Sequence, residues 1–141
     1  MQLKVKKLHS NAVLPSYARP GDAGLDLTAT SKEYDNEKDC IVFGTGLAVE
    51  IPEGHVGLIF PRSSICKVPL MLSNHVGVID SSFRGEIKFY FRPIGRPIKN
   101  YEIGDRIGQM IVMPYPQVEI KEVTELSGSE RGTGGFGSSG K

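Results

Sequence analysis

The chain has 141 residues, the size of one ordinary domain, and 39 % of them are hydrophobic, which is enough to form a core. Its 17 basic and 16 acidic residues give a net charge of +1, so the charge of the whole molecule does not favour binding to nucleic acid. The N-terminus lacks the apolar segment of a secretory signal, and no apolar run approaches the length of a membrane span. We therefore expect a soluble protein without nucleic-acid or membrane partners, located in the cytoplasm, or in the interior of a host cell if the source is viral.

Short stretches of alternating apolar residues recur along the chain, separated by many of the 17 glycines and 9 prolines. The alternation predicts strands at 47–51, 56–60, 87–91 and 118–120. The nearly continuous apolar run from Ile107 to Met113 predicts a strand buried on both faces. Many short strands between turn residues are typical of an all-β sandwich or barrel.

A single segment favours a helix. Ser63 and Ser64 follow Pro61 and Arg62, and serine is a common N-cap, but Pro69 limits the helix to about one or two turns. An arginine beside two hydroxyls at a helix start can also bind an anion. Taken alone, the segment is better explained as an ordinary N-cap with an exposed arginine.

Asp80 stands between two apolar runs that are joined by the sequence Ser-Ser-Phe-Arg-Gly at 81–85. This pattern predicts a β-hairpin. The carboxylate of Asp80 either caps the turn or serves as a general base at the mouth of a pocket. From this segment alone, the turn-capping role is the more common one.

The last residues differ in composition from the rest of the chain. Residues 127–141 contain six glycines and four serines and almost no residues that form a core. We therefore predict a β-domain at 1–126 and a flexible arm at 127–141. Arg131 and Phe136 stand alone among the glycines of the arm, where they can contact a ligand.

Five segments are far more specific together than separately. They resemble, in type and in order, the five motifs of the trimeric dUTP pyrophosphatase family, and the resemblance covers essentially the whole chain. It implies a jelly-roll-like β-barrel that assembles as a homotrimer, with active sites at the subunit interfaces. The segments are AGLDLTA (23–29), PRSSICK (61–67), GVIDSSFRGEI (77–87), GDRIGQMIV (104–112) and RGTGGFGSSG (131–140).

The resemblance also implies a reaction, the hydrolysis of dUTP to dUMP and pyrophosphate, which limits uracil in DNA and supplies dUMP for dTTP synthesis. Asp80 is implied as the catalytic residue, which deprotonates the water that attacks the α-phosphorus and hydrogen-bonds the 3′-hydroxyl. Phe83 stands where the family usually carries tyrosine, packed under the deoxyribose. The implied cofactor is Mg²⁺, held by the triphosphate and waters without a direct protein ligand, with Asp26 in its outer shell.

The remaining substrate contacts implied by the resemblance fall into four groups: the phosphate contacts, the uracil contacts, two side chains of the arm and two further residues. They are Arg62, Ser63, Ser64 and Gln109 for the phosphates; Asn74 and the backbone of Gly77, Val78 and Ile79 for uracil; Arg131 for the γ-phosphate and Phe136 for stacking on uracil; and Lys88 and Gly137 as further substrate-binding residues.

Two alternative functions remain open. A dCTP deaminase shares the fold and some motifs, but such enzymes are usually longer and need a further acid near the pyrimidine amino group. The complete tail from Arg131 to Ser138 favours the pyrophosphatase. A regulatory module that uses nucleotide state to contact a partner protein is the second alternative. It predicts binding with little turnover, whereas the presence of Asp80 favours turnover.

Overall fold

The computed structural model describes residues 1–95 and 100–138, in which all regular structure is β-strand apart from one 3-10 helix, Ser63–Lys67. The prediction of an all-β chain with at most one short helix is confirmed. No helix in these two stretches has the length and apolar character required to cross a membrane. The strands are β1 (Lys4–Lys7), β2 (Leu25–Thr28), β3 (Ser31–Asp35), β4 (Cys40–Glu50), β5 (His55–Phe60), β6 (Leu70–Leu72), β7 (Gly77–Ile79), β8 (Glu86–Pro93) and β9 (Arg106–Pro114).

The strands form two antiparallel sheets. The five-stranded sheet has the order β1-β4-β8-β6, and β3 also pairs with β4. The four-stranded sheet has the order β2-β9-β5-β7. The long strand β4 pairs with β3 along its first half and with β1 along its second half, so one continuous strand supports two short neighbours.

The core lies between the two sheets and contains side chains from both. Phe43, Phe89 and Phe91 are fully buried, and the rings of Phe89 and Phe91 stack with centroids 6.0 Å apart. The Phe89 ring of one sheet lies against Gly108 of the other, where any Cβ would overlap the ring. Gly108 is therefore required by the close approach of the sheets.

The predicted β-hairpin around Asp80 is wrong. β7 pairs with β5 in one sheet, whereas β8 pairs with β4 and β6 in the other. The connection between them passes from sheet to sheet, and the Arg84 guanidinium holds it by donating to the carbonyls of Ser81 (2.6 Å) and Phe83 (2.9 Å). Period-two alternation indicates a strand but does not identify the strand it pairs with, which explains the error.

Two further expectations need correction. No strand forms at 118–120, where Val118 is 72 % exposed and Ile120 is 85 % exposed, because no other described strand lies beside them to pair with. The strand predicted at 107–113 is confirmed as part of β9, but it is not buried on both faces throughout. Met110 is fully buried whereas Met113 is 44 % exposed, because none of the described residues forms a layer over the outer face of this sheet.

The described strands all lie between residues 4 and 114, and no helix or strand occurs in the described part of the chain after them. The division into a β-domain at 1–126 and an arm at 127–141 stays a prediction. Residues 139–141 of that arm lie outside the described residues.

Candidate functional site

One end of the four-stranded sheet brings together residues from three motifs. In the strand register, Gln109 of β9 lies opposite Asp26 of β2 on one side and opposite Phe60 of β5 on the other. The Gln109 side chain also donates a hydrogen bond of 3.1 Å to the carbonyl of Pro61. This bond fixes Pro61, the residue before Arg62. The position of Arg62 therefore depends on the pairing of Gln109 with Asp26 and Phe60.

The Asp26 carboxylate connects two arginines at this end of the sheet. Its Oδ1 accepts a bond of 2.9 Å from Arg62 Nε, and its Oδ2 accepts a bond of 2.7 Å from Arg106. The Asp26 side chain is 11 % exposed, that of Arg62 26 % and that of Arg106 50 %. One negative charge thus faces two positive charges, and the cluster keeps an excess positive charge beside open solvent, as an anion site requires.

The short 3-10 helix follows Arg62 directly. Arg62 itself occupies the N-cap position, and no side chain caps this helix. The predicted capping role of Ser63 and Ser64 is therefore wrong: both serines lie inside the helix, because the helix begins at least one residue earlier than expected. Since neither hydroxyl is used for capping, both are free to donate to a ligand, and Ser63 is exposed.

A shallow groove runs along the outer face of the sheet beside this cluster. It is bordered by Phe60, Arg62, Ser63, Gln109 and Ile111, among others. The groove is apolar towards Ile111 and polar towards Arg62, so it offers one end to an anionic group and the other to an apolar surface.

The segment with Asp80 lies at the opposite edge of the same sheet. β7 is an edge strand that pairs only with β5 among the described strands, so its other edge has backbone N–H and C=O groups without a strand partner. A Cβ on Gly77 would overlap the Ile59 side chain, so β7 must approach β5 with a glycine there. Asn74 lies in the exposed turn before β7, and Asp80 is exposed directly after it.

Phe83 follows Asp80 in the connection between the sheets. Its ring is 42 % exposed and lies against Gly85, where a Cβ would overlap the ring. The backbone N–H of Phe83 donates to the carbonyl of Asp80 with a length of 3.0 Å, which closes a turn around Ser81 and Ser82. Phe83 and Asp80 are thus neighbours on one exposed turn.

The single chain does not bring Asp80 to Arg62. Ile79 pairs with Gly57 near the start of β5, so Asp80 lies at the level of Val56, whereas Arg62 follows the far end of β5 after Phe60. Six positions separate Val56 from Arg62, and the four strand steps from Val56 to Phe60 alone correspond to about 13 Å along the sheet. The two groups therefore belong to different places on the surface of one subunit.

Lys88 also lies apart from the other predicted substrate residues. It projects from β8 in the five-stranded sheet, opposite Gly44, and its ammonium lies 3.5 Å from the Glu86 carboxylate. Its role in substrate binding stays a prediction.

The predicted ligand-contacting residues of the arm do not pack on the domain. The Arg131 guanidinium donates to the carbonyl of Gly134, three residues away, at 2.7 Å. The Phe136 side chain is fully exposed, and Gly137 has φ +89°, a left-handed conformation that suits glycine. The arm thus turns on itself and leaves its one aromatic ring in solvent.

Within residues 1–95 and 100–138, no group of three or more His, Cys, Asp or Glu side chains is arranged to hold a metal ion.

Arg106 was not predicted as a site residue, although it belongs to the GDRIGQMIV segment. Its position beside Asp26 depends on an irregularity of strand pairing, which residue spacing does not show.

Comparisons with known proteins agree on one family. The family model described as dUTPase matches residues 10–140. The deoxyuridine 5'-triphosphate nucleotidohydrolase of Clostridium kluyveri is 40 % identical over 141 residues, covering 99 % of both chains. The enzyme of the same name from Nautilia profundicola is 42 % identical over 144 residues and matches over the full length of both chains.

Solved structures give the same result. The Staphylococcus bacteriophage 80alpha dUTPase with dUPNHPP superposes with a TM-score of 0.83 at 30 % identity, covering 99 % of each chain, and was described in work on phage dUTPases that control transfer of virulence genes. A mutant dUTPase from phage phi11 of S. aureus, described with a structural Mg(II) ion, gives a TM-score of 0.72 at 25 % identity and covers 89 % of this chain and 98 % of that one. The chain therefore belongs to the dUTPase family.

Proposed function

We propose that the protein hydrolyses dUTP to dUMP and pyrophosphate at sites shared between the subunits of a homotrimer. The observation that carries the proposal is the free edge of β7, which ends at the exposed carboxylate of Asp80. Full-length relatives named deoxyuridine 5'-triphosphate nucleotidohydrolase support the choice of substrate. A cytoplasmic location stays a prediction.

The edge of β7 suits recognition of uracil. The backbone of Gly77, Val78 and Ile79 carries donors and acceptors in alternation, as the pairing edge of a pyrimidine does. Asn74, in the turn before the strand, would add a side-chain amide to this pairing. Cytosine presents an amino donor where uracil presents the O4 acceptor, so it would leave a buried donor facing a donor. Because unpaired buried polar groups are costly, the discrimination can be large.

Asp80 would act as the general base. Its carboxylate is exposed next to the strand that would hold the base, where it can accept a proton from a water molecule in line with the α-phosphorus. Phe83, on the same turn, would pack against the deoxyribose and exclude a 2′-hydroxyl. Because Gly85 has no Cβ, the Phe83 ring has room to lie flat on the chain.

The phosphates would bind at the other end of the sheet. Arg62, Ser63, Ser64 and Gln109 supply donors there, and the cluster around Asp26 keeps one positive charge in excess. Preorganised donors of this kind stabilise the charge that develops on the non-attacked oxygens of the phosphorus.

Mg²⁺ is the proposed cofactor. The donors present in the described residues fit an ion held mainly by the triphosphate and waters, because Asp26 is the acid nearest the phosphate donors and both its oxygens already accept bonds from arginines. Asp26 would then meet the ion at most through water. When bound, Mg²⁺ would neutralise charge on the triphosphate oxygens.

A homotrimer with interfacial sites is supported by two features. The base-side residue Asp80 and the phosphate-side residue Arg62 lie far apart on one chain, so a complete site needs surfaces of two chains. The outer face of the four-stranded sheet is also apolar, and an uncovered apolar face of this kind is typical of a subunit interface. Its apolar members are Val56, Leu58, Phe60, Val78, Ile111 and Met113.

The arm at 127–141 of one subunit would complete a site that neighbouring subunits form. Arg131 would bind the γ-phosphate, the Phe136 ring would stack on uracil, and Gly137 would let the backbone approach the ligand closely. Lys88 would contact substrate from the face of the second sheet. The exposed ring of Phe136 is the support for this part of the proposal, since a free aromatic side chain gains most from a flat ligand.

A nucleotide panel tests the proposed function. Purified protein with Mg²⁺ should convert dUTP to dUMP and pyrophosphate and should act slowly on dCTP, dTTP and UTP. Release of ammonia from dCTP would support the deaminase alternative instead. Tight binding of dUTP without product would support a regulatory module that responds to nucleotide state.

A further inference from the structure

Arg106 has no assigned role in the predicted site, yet it makes the shortest recorded contact of the Asp26 carboxylate, 2.7 Å from Oδ2. We propose that Arg106 is a positioning residue, which acts through Asp26 to fix the direction of the Arg62 guanidinium towards the phosphates. The inference rests on the proposed function, because it assumes that Arg62 binds a phosphate of dUTP.

The position of Arg106 depends on a break in strand pairing. Asp26 lies opposite Gln109 and Leu27 lies opposite Gly108, but Thr28 then lies opposite Arg106, so β9 has one extra residue, Ile107. A β-bulge of this kind changes the face on which the following side chains lie.

The bulge decides which face Arg106 occupies. Met110 is fully buried in the core, and a regular strand would place residues 108 and 106 on that same inner face. Ile107 is instead fully buried, and Arg106 is half exposed on the face of Asp26. The bulge therefore keeps an apolar residue in the core and at the same time turns an arginine towards the carboxylate.

The contact is not needed to hold the two strands together. Backbone pairing from Leu25 to Leu27 already joins β2 to β9, and ion pairs of a half-exposed arginine contribute little to stability. Its effect on Asp26 is more specific, because a carboxylate that is 11 % exposed has little water to orient it.

The Arg62 guanidinium is only partly engaged by Asp26. Arg62 uses Nε to bind Asp26, and the described residues show no other partner for its guanidinium, so the two terminal amino groups are left for a ligand. Without Arg106, the carboxylate would be free to rotate and bind those amino groups itself, in competition with phosphate. By binding Oδ2, Arg106 thus leaves only Oδ1 of Asp26 to contact Arg62.

The test compares Arg106→Ala and Asp26→Asn, singly and combined, with Arg92→Ala as the matched control. Arg92 is exposed on β8 and has no ion pair within the described stretches. Each single variant should raise the KM for dUTP about tenfold and change kcat less, since a phosphate contact is weakened in the bound substrate. The double variant should be within about twofold of the single variants, because both remove the same support.

Further readouts separate positioning from other roles. Arg106→Lys keeps the charge without the planar fork and should recover part of the KM; it also serves if Arg106→Ala does not fold, as judged by thermal melting. The Mg²⁺ concentration for half-maximal activity should not change in the Arg106 variants. A KM within about twofold of the parent for Arg106→Ala would overturn the proposal, as would multiplied effects in the double variant, which indicate that Arg106 contacts phosphate directly. A changed Mg²⁺ requirement in Asp26→Asn with unchanged KM would also overturn it.

Binding of the non-hydrolysable analogue dUpNHpp, measured by calorimetry, separates this inference from the proposed function. If the parent does not hydrolyse dUTP but binds the analogue, and both single variants weaken that binding about tenfold, the function fails and the positioning role stands. If the parent hydrolyses dUTP and the variants match it, the function stands and the positioning role fails.

Discussion

Two arginines are proposed to bind the same triphosphate, and the molecule holds them in opposite ways. Arg62 is bonded at 2.9 Å to Asp26, two strands away in the same sheet, and its side chain is 26 % exposed. Arg131 is exposed, and among residues 1–95 and 100–138 its side chain bonds only within its own segment, to the carbonyl of Gly134. The first donor is ready before the ligand arrives, whereas the second must be ordered when it binds.

The difference determines what each region contributes. Ordering a chain segment costs about 1–2 kcal/mol per residue in backbone entropy, so the arm can close only over a ligand that makes many contacts. A metal-bound triphosphate with a stacked base is such a ligand. In the proposed site, the sheet would supply specificity in advance, and the arm would make closure depend on a complete substrate.

Asp80→Asn tests the fixed part of the site and should have the largest effect. Loss of the general base should lower kcat at least about a hundredfold, while dUpNHpp binding persists, because asparagine keeps the shape and one acceptor. Steady-state kinetics with calorimetry provide the measurement. Asp39→Asn, in the distant turn between β3 and β4, is the control and should keep normal activity. Equal activity of the Asp80→Asn variant would place the base elsewhere.

Truncation after Glu130 tests the arm. It should lower kcat/KM about a hundredfold and leave the variant nearly inactive, because a charge-assisted contact and a stacking contact are lost together. The melting temperature should stay unchanged, since Phe136 and Arg131 are exposed and bury nothing on the domain. A large fall in melting temperature would show that the arm is part of the folded domain.

Gly108→Ala, unlike the truncation, should lower the stability of the domain. The added Cβ would overlap the Phe89 ring, and such overpacking typically costs about 1–3 kcal/mol. Gly128→Ala, where the added Cβ meets nothing within 4 Å, is the matched control and should change stability by less than about 0.5 kcal/mol. Urea denaturation measures both. Equal stability of the two variants would contradict the close packing of the sheets.

Phe83→Tyr should have the smallest effect. The ring packs on Gly85 in either case, and one hydroxyl contact is worth about 1 kcal/mol, so dUTP turnover should stay within roughly tenfold. Rejection of UTP should be equal or better. Steady-state kinetics on dUTP and UTP provide the measurement. Complete loss of activity would show that this turn is wrongly assigned to the sugar.

The sequence predicted the class of fold and several strands, because alternation and glycine spacing are local properties. It did not predict that β7 and β8 belong to different sheets, because two apolar runs look alike whichever sheet they join. It also gave no indication of Arg106, whose face is set by a bulge. Val118 and Ile120 alternate like a strand, but pairing needs a neighbouring strand that the described part of one chain does not provide.

The central claim is that one site combines the fixed sheet of some subunits with the arm of another. Two nearly inactive variants test it directly: one truncated after Glu130 with Asp80 intact, and one with Asp80→Asn and an intact arm. They are refolded together, mixed trimers are verified by native mass spectrometry, and dUTP hydrolysis is measured. The account predicts that activity reappears in the mixed trimers, because some sites then combine an intact Asp80 with an intact arm from a neighbour. Mixed trimers that form but stay inactive would contradict it.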